Sequence, residues 1–187
     1  AVANGQILAI GSDAQIEALA GTATKRIEGN GRSLLPGFVE SHLHLFSGAA
    51  ELDDLHLTHV HGLDALTTAV RTYADAHPDA PFLMAQHADY AVISDTERVT
   101  RHHLDAIVPD RPFAMMAADH HTVWANTRAL ETAGILHGKK LGPGNEIVMG
   151  EDGLALGELR EFEAFASVLM LTGKGRAGLG LSTGGEP

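Results

Sequence analysis

The sequence contains no cysteine. Disulfides, thiolate nucleophiles and thiolate metal ligands are therefore excluded, and any bound metal must be held by imidazole and carboxylate groups. Basic residues are also scarce, with 13 Lys and Arg against 24 Asp and Glu and a formal net charge of −11. That balance argues against a nucleic-acid partner, whose phosphates are bound by clustered Lys and Arg, and against an anionic membrane surface. There is no run of about 18 consecutive apolar residues and no basic-then-apolar start of a signal peptide, so the expected setting is the cytoplasm. No strand-Gly-x-Gly-x-x-Gly-helix order and no Gly-Lys-Ser/Thr occurs, and Lys174 between two glycines is not a phosphate loop.

What is present is ordinary for a globular protein: 187 residues, 44% hydrophobic and 20% charged. That length suits one domain with a sizeable core. The unusual count is histidine, at 12 residues.

Along the chain, Gln6 to Gly11 reads as a short strand, and Ser12 or Asp13 is a credible N-cap for a helix carrying Ile16, Leu19 and Ala20. Gly29-Asn30-Gly31 between Arg26–Glu28 and Arg32–Leu35 reads as a hairpin. After Pro36-Gly37, Phe38 to Leu45 is expected as a strand with His42 and His44 on one face, followed by a Gly48-Ala49-Ala50 loop. Leu63, Leu66, Val70 and Tyr73-Ala74 form a helical stripe stopped by Pro78. Phe82–Ala85 and Phe113–Ala118 are short apolar runs suited to parallel strands buried on both faces. Helices are expected from Thr100 to Ile107 and from Asn126 to Ala133. Residues 137–157 read as Gly-rich and irregular, and Gly157 to Leu171 as a loop feeding a helix.

Strand-helix alternation favours an α/β architecture. Only three barrel-type strands are legible, and a (β/α)8 barrel needs about 250 residues, so such a barrel would be incomplete.

Residues i and i+2 of a strand share a face, so His42 and His44 can offer two imidazoles to one ion. In a His-rich chain a same-face coincidence also explains the pair. Asp119 and His121 follow a buried strand, where contact with a substrate is plausible, and Trp124 can wall a pocket. Equally, Asp119 can cap the turn, His121 can bond backbone and Trp124 can fill the core. His56, His59, His61, His87 and His102-His103 read as solvated loop histidines.

Leu35-Pro36-Gly37-Phe38-Val39-Glu40-Ser41-His42-Leu43-His44-Leu45 resembles the first-strand metal motif of the amidohydrolase superfamily. Gly5 to Gly11 resembles that family's β-domain signature, and Asp119-His120-His121-Thr122-Val123-Trp124-Ala125-Asn126 is similar to the Asp-x-His-x-x-Trp-x-Asn element of its YtcJ-like branch. The resemblance implies an α/β chain in which residues 1–35 are part of a small β domain and residues 36–171 are the first strands and helices of a metal-dependent hydrolase (β/α)8 TIM barrel. Residues 172–187, rich in glycine, would be a flexible segment. It further implies one or two divalent metal ions, zinc foremost, and hydrolysis of a non-peptide C–N bond in a small-molecule substrate.

On the same resemblance His42 and His44 are metal ligands. Glu161, in Gly157-Glu158-Leu159-Arg160-Glu161, would be a third, although an ordinary surface Glu early in a helix is an equal reading. Further His ligands and a general-base Asp of the family find no match here, so the chain is expected to be an inactive N-terminal portion. It would associate with the remainder of its own polypeptide or as a homo-oligomer. The alternatives are a non-catalytic segment or a small α/β binding module.

Overall fold

The structure, a computed structural model, describes residues 1–41 and 45–174. The chain divides into two compact units, residues 1–41 and 42–187.

In the first unit, Asn4 and Gly5 both take positive φ (51° and 74°), the requirement of a two-residue type I′ turn. They join strands β1 (Val2–Ala3) and β2 (Gln6–Ile7) in an antiparallel hairpin. Helix α1 (Asp13–Glu17) follows Ser12, whose backbone N–H donates to Gln15 Oε1 at 2.9 Å. The expected second hairpin is corrected. Asn30 and Gly31 do make a turn with positive φ (49° and 76°), closed by Arg32 N–H to Gly29 O at 2.9 Å, but the flanking segments form no strands. A turn fixes the reversal, whereas a strand needs partners for its backbone groups. For the same reason the strand expected from Phe38 is not formed over residues 38–41, and Leu34, Phe38 and Val39 are almost wholly exposed. His42 and His44, its central residues, lie outside the described residues, as does most of the Gly-rich end, residues 175–187.

The second unit opens on helix α2 (Leu45–Glu51), where a Gly-Ala-Ala loop was expected. Alanine and glutamate favour helix strongly enough to carry one glycine. Then come β3 (Leu55–His56), α3 (Leu63–Ala76), β4 (Leu83–Ala88), α4 (Arg101–Ile107) and β5 (Phe113–Ala117). These three strands are parallel neighbours joined by helical crossovers, as the buried apolar runs at residues 82–85 and 113–118 predict. The C-terminal carbonyls of α3 are satisfied from afar, since Arg111 donates to Ala74 O at 3.0 Å and His77 O at 2.7 Å.

After β5 the chain reverses. The connection of residues 118–121 is far too short for a parallel crossover, and β6 (Thr122–Ala125) pairs antiparallel with β5. Helix α5 (Thr127–Thr132) follows, then β7 (Glu146–Met149) and β8 (Ala155–Arg160), antiparallel to each other, and α6 (Phe162–Leu169) with a 3-10 turn at Met170–Thr172. Both β7 and β8 lie where irregular chain or loop was expected. The glycines there punctuate a hairpin. Gly157, with φ 110°, sits where a Cβ would lie 2.7 Å from Arg101 N and 2.8 Å from Ala125 O, so only glycine lets α4 approach the sheet.

The sheet order is β3-β4-β5-β6-β8-β7. Among the described residues it is an open mixed sheet with β3 and β7 at its edges. Alternation along the strands feeds two cores. Leu83, Ala85, Phe113, Met115 and Trp124 pack with Leu66 and Val70 of α3 and Leu104 of α4, while Met84, Ala114, Met116, Val123 and Leu159 pack with Leu130 of α5 and Phe165 and Val168 of α6. Helices thus cover both faces, giving three layers. No helix among the described residues is long and apolar enough to cross a membrane.

Candidate functional site

The carboxyl ends of β3, β4 and β5 share one edge of the sheet. Antiparallel pairing brings the start of β6 and the end of β8 to the same edge, with Thr122 opposite Arg160. In open α/β sheets ligands bind in the crevice outside the carboxyl ends of strands. Here that edge carries His56, His87, the turn with Asp119, His120 and His121, and Glu161.

Of the residues singled out from the sequence, Asp119, His121, Trp124 and Glu161 are brought together. Glu161 follows β8 with φ 66°, an uncommon conformation for a glutamate. Its N–H donates to His121 O at 2.8 Å and its carboxylate lies 3.2 Å from His121 Nδ1. It makes no side-chain cap on α6 and instead faces an imidazole. The hydrogen bond and charge of Glu161 raise the His121 pKa, so the pair favours imidazolium.

Asp119 Oδ1 accepts from His121 N at 3.0 Å, closing the turn, and Tyr90 Oη donates to Asp119 Oδ2 at 3.2 Å. Trp124 is buried in the core facing α3 and α4, with Tyr90 edge-on to it at a ring separation of 5.3 Å. Asp119 therefore caps and Trp124 fills the core, as the plainer sequence reading has it. Trp124 also lines the cavity at this edge.

Trp124 and Tyr90 wall a cavity of about 550 Å³ roofed by the loop between β4 and α4, with Arg98, Glu158, Arg160 and Glu161 among its lining. Burial is the main cause raising the Tyr90 pKa, opposed by its hydrogen bond with Thr122, so its hydroxyl stays protonated. Glu158 is buried and is neutralised by Arg160, whose Nε donates to it at 2.7 Å. Arg160 also donates to Glu146 at 2.6 Å, and Arg98 stands 4.0 Å from Glu158. A buried carboxylate needs such a partner.

Sequence reasoning missed a second group at this edge. His87, expected as a solvated loop residue, lies in β4, and only a third of its side chain is exposed. It stands beside His56, with ring centroids 5.1 Å apart, and near His120 at 6.1 Å. Glu51 of α2 reaches toward both His87 and His120, at 4.0 and 3.8 Å. The available signal was that His87 stands two residues beyond the apolar run of residues 82–85, close enough for the same strand to carry it. His59, His61 and His102 are exposed as expected, while His103 accepts from Thr100 N at 3.1 Å at the start of α4. Among the described residues no group of three His, Asp or Glu side chains is placed to hold a metal ion.

The fold of this α/β chain is similar to that of two solved structures. An uncharacterized metal-dependent hydrolase from Pyrococcus horikoshii OT3 superposes with a TM-score of 0.50 and 20% identity, over 74% of this chain and 24% of that one. Its counterpart from Pyrococcus furiosus gives 0.50 and 21%, over 75% and 25%. The Amidohydrolase family model matches residues 27–177, and the chain belongs to that family. It is YtcJ-like, being 29% identical over 136 residues to the Putative amidohydrolase YtcJ of Bacillus subtilis (strain 168), across 73% of this chain and 26% of the relative. It is likewise 26% identical over 136 residues to the N-substituted formamide deformylase of Arthrobacter pascens, across 72% and 25%. The chain spans about a quarter of the length of these curated relatives.

Proposed function

We propose that the whole protein of which these residues form part is a divalent-metal hydrolase, acting on a non-peptide C–N bond such as an amide, formamide or cyclic amide of a small molecule. In this reading residues 36–171 supply the first part of a (β/α)8 barrel. The observation that carries it is the convergence of Glu161, His121 and Asp119 at the carboxyl edge of the sheet in a chain of the amidohydrolase family.

The residues fit a metal in their donor chemistry. Glu161 presents a half-exposed carboxylate on a backbone fixed by the bond to His121 O, and imidazole with carboxylate is a zinc-type donor set. His42 and His44 would supply two further ligands from this chain, with the rest of the set coming from elsewhere in the whole protein. When bound, the ion would supply hydroxide at neutral pH by lowering the pKa of water toward about 7. His121 holds the Glu161 carboxylate in place. Asp119, fixed by Tyr90, sets the turn from which His121 reaches it, and Trp124 walls the side on which a substrate is received. The 187 residues alone are proposed to lack this activity.

Metal analysis of the whole protein tests the reading. Stoichiometric zinc should be lost on replacing His42 and His44 together by alanine and weakened in Glu161→Gln. Full zinc content in the double variant would sink the assignment of the pair, and unchanged affinity in Glu161→Gln that of the carboxylate.

A further inference from the structure

Glu158 of β8 stands directly opposite Trp124 of β6, so the two side chains share a face of the sheet. Trp124 belongs to the apolar core on that face, where a carboxylate loses most of its water. Only 10% of the Glu158 side chain is exposed, and it lines the cavity walled by Trp124 and Tyr90. Arg160 accounts for one oxygen only, since its Nε and Nη2 both lie 2.7 Å from Oε1. Among the described residues Oε2 accepts no hydrogen bond. Arg98 Nη1, from the roof, stands 4.0 Å from it, beyond hydrogen-bond reach.

A carboxylate accepts on both oxygens, and a buried one left without a donor is costly. The unfilled oxygen therefore marks a place for a donor brought by a ligand. Charge selects the kind of donor. The lining carries Asp95, Glu97, Glu158 and Glu161 against Arg98 and Arg160, with His121 matched to Glu161. Arg160 is moreover shared with Glu146, which lies outside the lining. A cavity of that balance attracts a cation and repels an anion. Tyr90, half exposed in the wall, adds an aromatic ring, which attracts cations over its face. The volume of about 550 Å³ suits a small organic ligand.

We propose that the cavity binds a protonated amine, with Glu158 Oε2 accepting its N–H, and that Glu158 thereby selects amides that carry a basic group away from the bond cleaved. The amine site stands on the cavity alone, whereas its place in a substrate rests on the hydrolase reading above. Arg98 is set against the same ligand. Its guanidinium, 78% exposed and without a hydrogen bond among the described residues, opposes a cation from the roof.

The test is calorimetric titration of the whole protein with three probes of similar shape: benzylamine, benzyl alcohol and benzoate. Benzylamine should bind at least about 10-fold more tightly than the others, the worth of a hydrogen bond to a charged group. Glu158→Gln should abolish that preference. Arg98→Ala should strengthen benzylamine binding by about 2–5-fold, the scale of an exposed charge pair. Because Arg98 is exposed, this second variant decides the matter should Glu158→Gln fail to fold, as judged by circular dichroism. Equal binding of the three probes, tighter binding of benzoate, or an unchanged preference in Glu158→Gln overturns the proposal. So does benzylamine affinity that is unchanged or weaker in Arg98→Ala. The zinc-loaded protein is then assayed on N-(4-aminobutyl)formamide and N-pentylformamide. A higher kcat/KM for the first, lost in Glu158→Gln, supports the selection of basic amides. Equal hydrolysis of both overturns that selection and leaves the hydrolase reading intact. Hydrolysis of neither, with benzylamine still bound through Glu158, leaves the amine site standing and counts against the hydrolase reading.

Discussion

Asn126 is fully buried and uses its whole hydrogen-bonding capacity. Its Oδ1 accepts from Phe113 N at 3.0 Å and from Ala129 N at 2.9 Å, and its Nδ2 donates to Val108 O at 3.0 Å and Arg111 O at 2.9 Å. One side chain thus caps α5 and ties the start of β5 to the end of α4. Asn126→Ala leaves two backbone N–H groups and two carbonyls short of a partner in a dry region. At about 1 kcal/mol for each, the loss is about 4 kcal/mol, of which the cap alone is about 1 kcal/mol. Against a typical stability of about 5–15 kcal/mol this is severe, and it corresponds to a fall in melting temperature of about 8–16 °C for a domain of this size. Thermal and urea denaturation followed by circular dichroism measure it. Asn126→Asp keeps the acceptor but turns a second oxygen on the carbonyls of Val108 and Arg111. Its cost should therefore shrink as pH falls and the introduced carboxyl takes up a proton. A loss below about 1 kcal/mol in Asn126→Ala would refute the reasoning, for it would mean that the four groups find other partners.

Gly157→Ala should destabilise by at least about 2 kcal/mol, through a positive φ and a Cβ forced against Arg101 and Ala125; an unchanged denaturation midpoint would contradict this. The His121 imidazole should titrate above its ordinary value in an NMR pH series and move back down in Glu161→Gln. Because its folded pKa is raised, the contribution of this pair is complete below the unfolded pKa of about 6.5 and is lost as pH rises through the folded value. Equal titration in both proteins would remove Glu161 as the cause. Arg101 is buried and bonds Ala155 O at 2.9 Å and Asp152 at 2.8 Å. Arg101→Met should cost about 2–3 kcal/mol by orphaning that carbonyl and stripping a charged hydrogen bond, read by urea denaturation. A loss within 0.5 kcal/mol, the range of an ordinary surface change, would count against it.

The parallel half of the sheet was legible because β4 and β5 are apolar on both faces, and the stripe of α3 because Leu66, Val70 and Ala74 recur at helical spacing. The antiparallel half was hidden. β7 is four residues at an edge with one buried side chain, and β8 carries Gly157, Glu158 and Arg160, whose packing and charges are settled only by neighbours distant in sequence. At the site, Glu161 and His121 were found through a motif, while their mutual contact, forty residues apart, was not readable from spacing. Glu51 and His87 carried no motif at all. Their meeting depends on α2 ending beside the mouth of β4, and a helix was not expected there.

The turn after β5 places two consecutive histidines on different errands. His120, at φ 63°, looks to Glu51, and His121, one residue on, looks to Glu161. Asp119 clamps the same three residues to Tyr90 on the neighbouring loop. Loss of the Asp119 clamp would therefore free both imidazoles at once, although they face carboxylates on different elements.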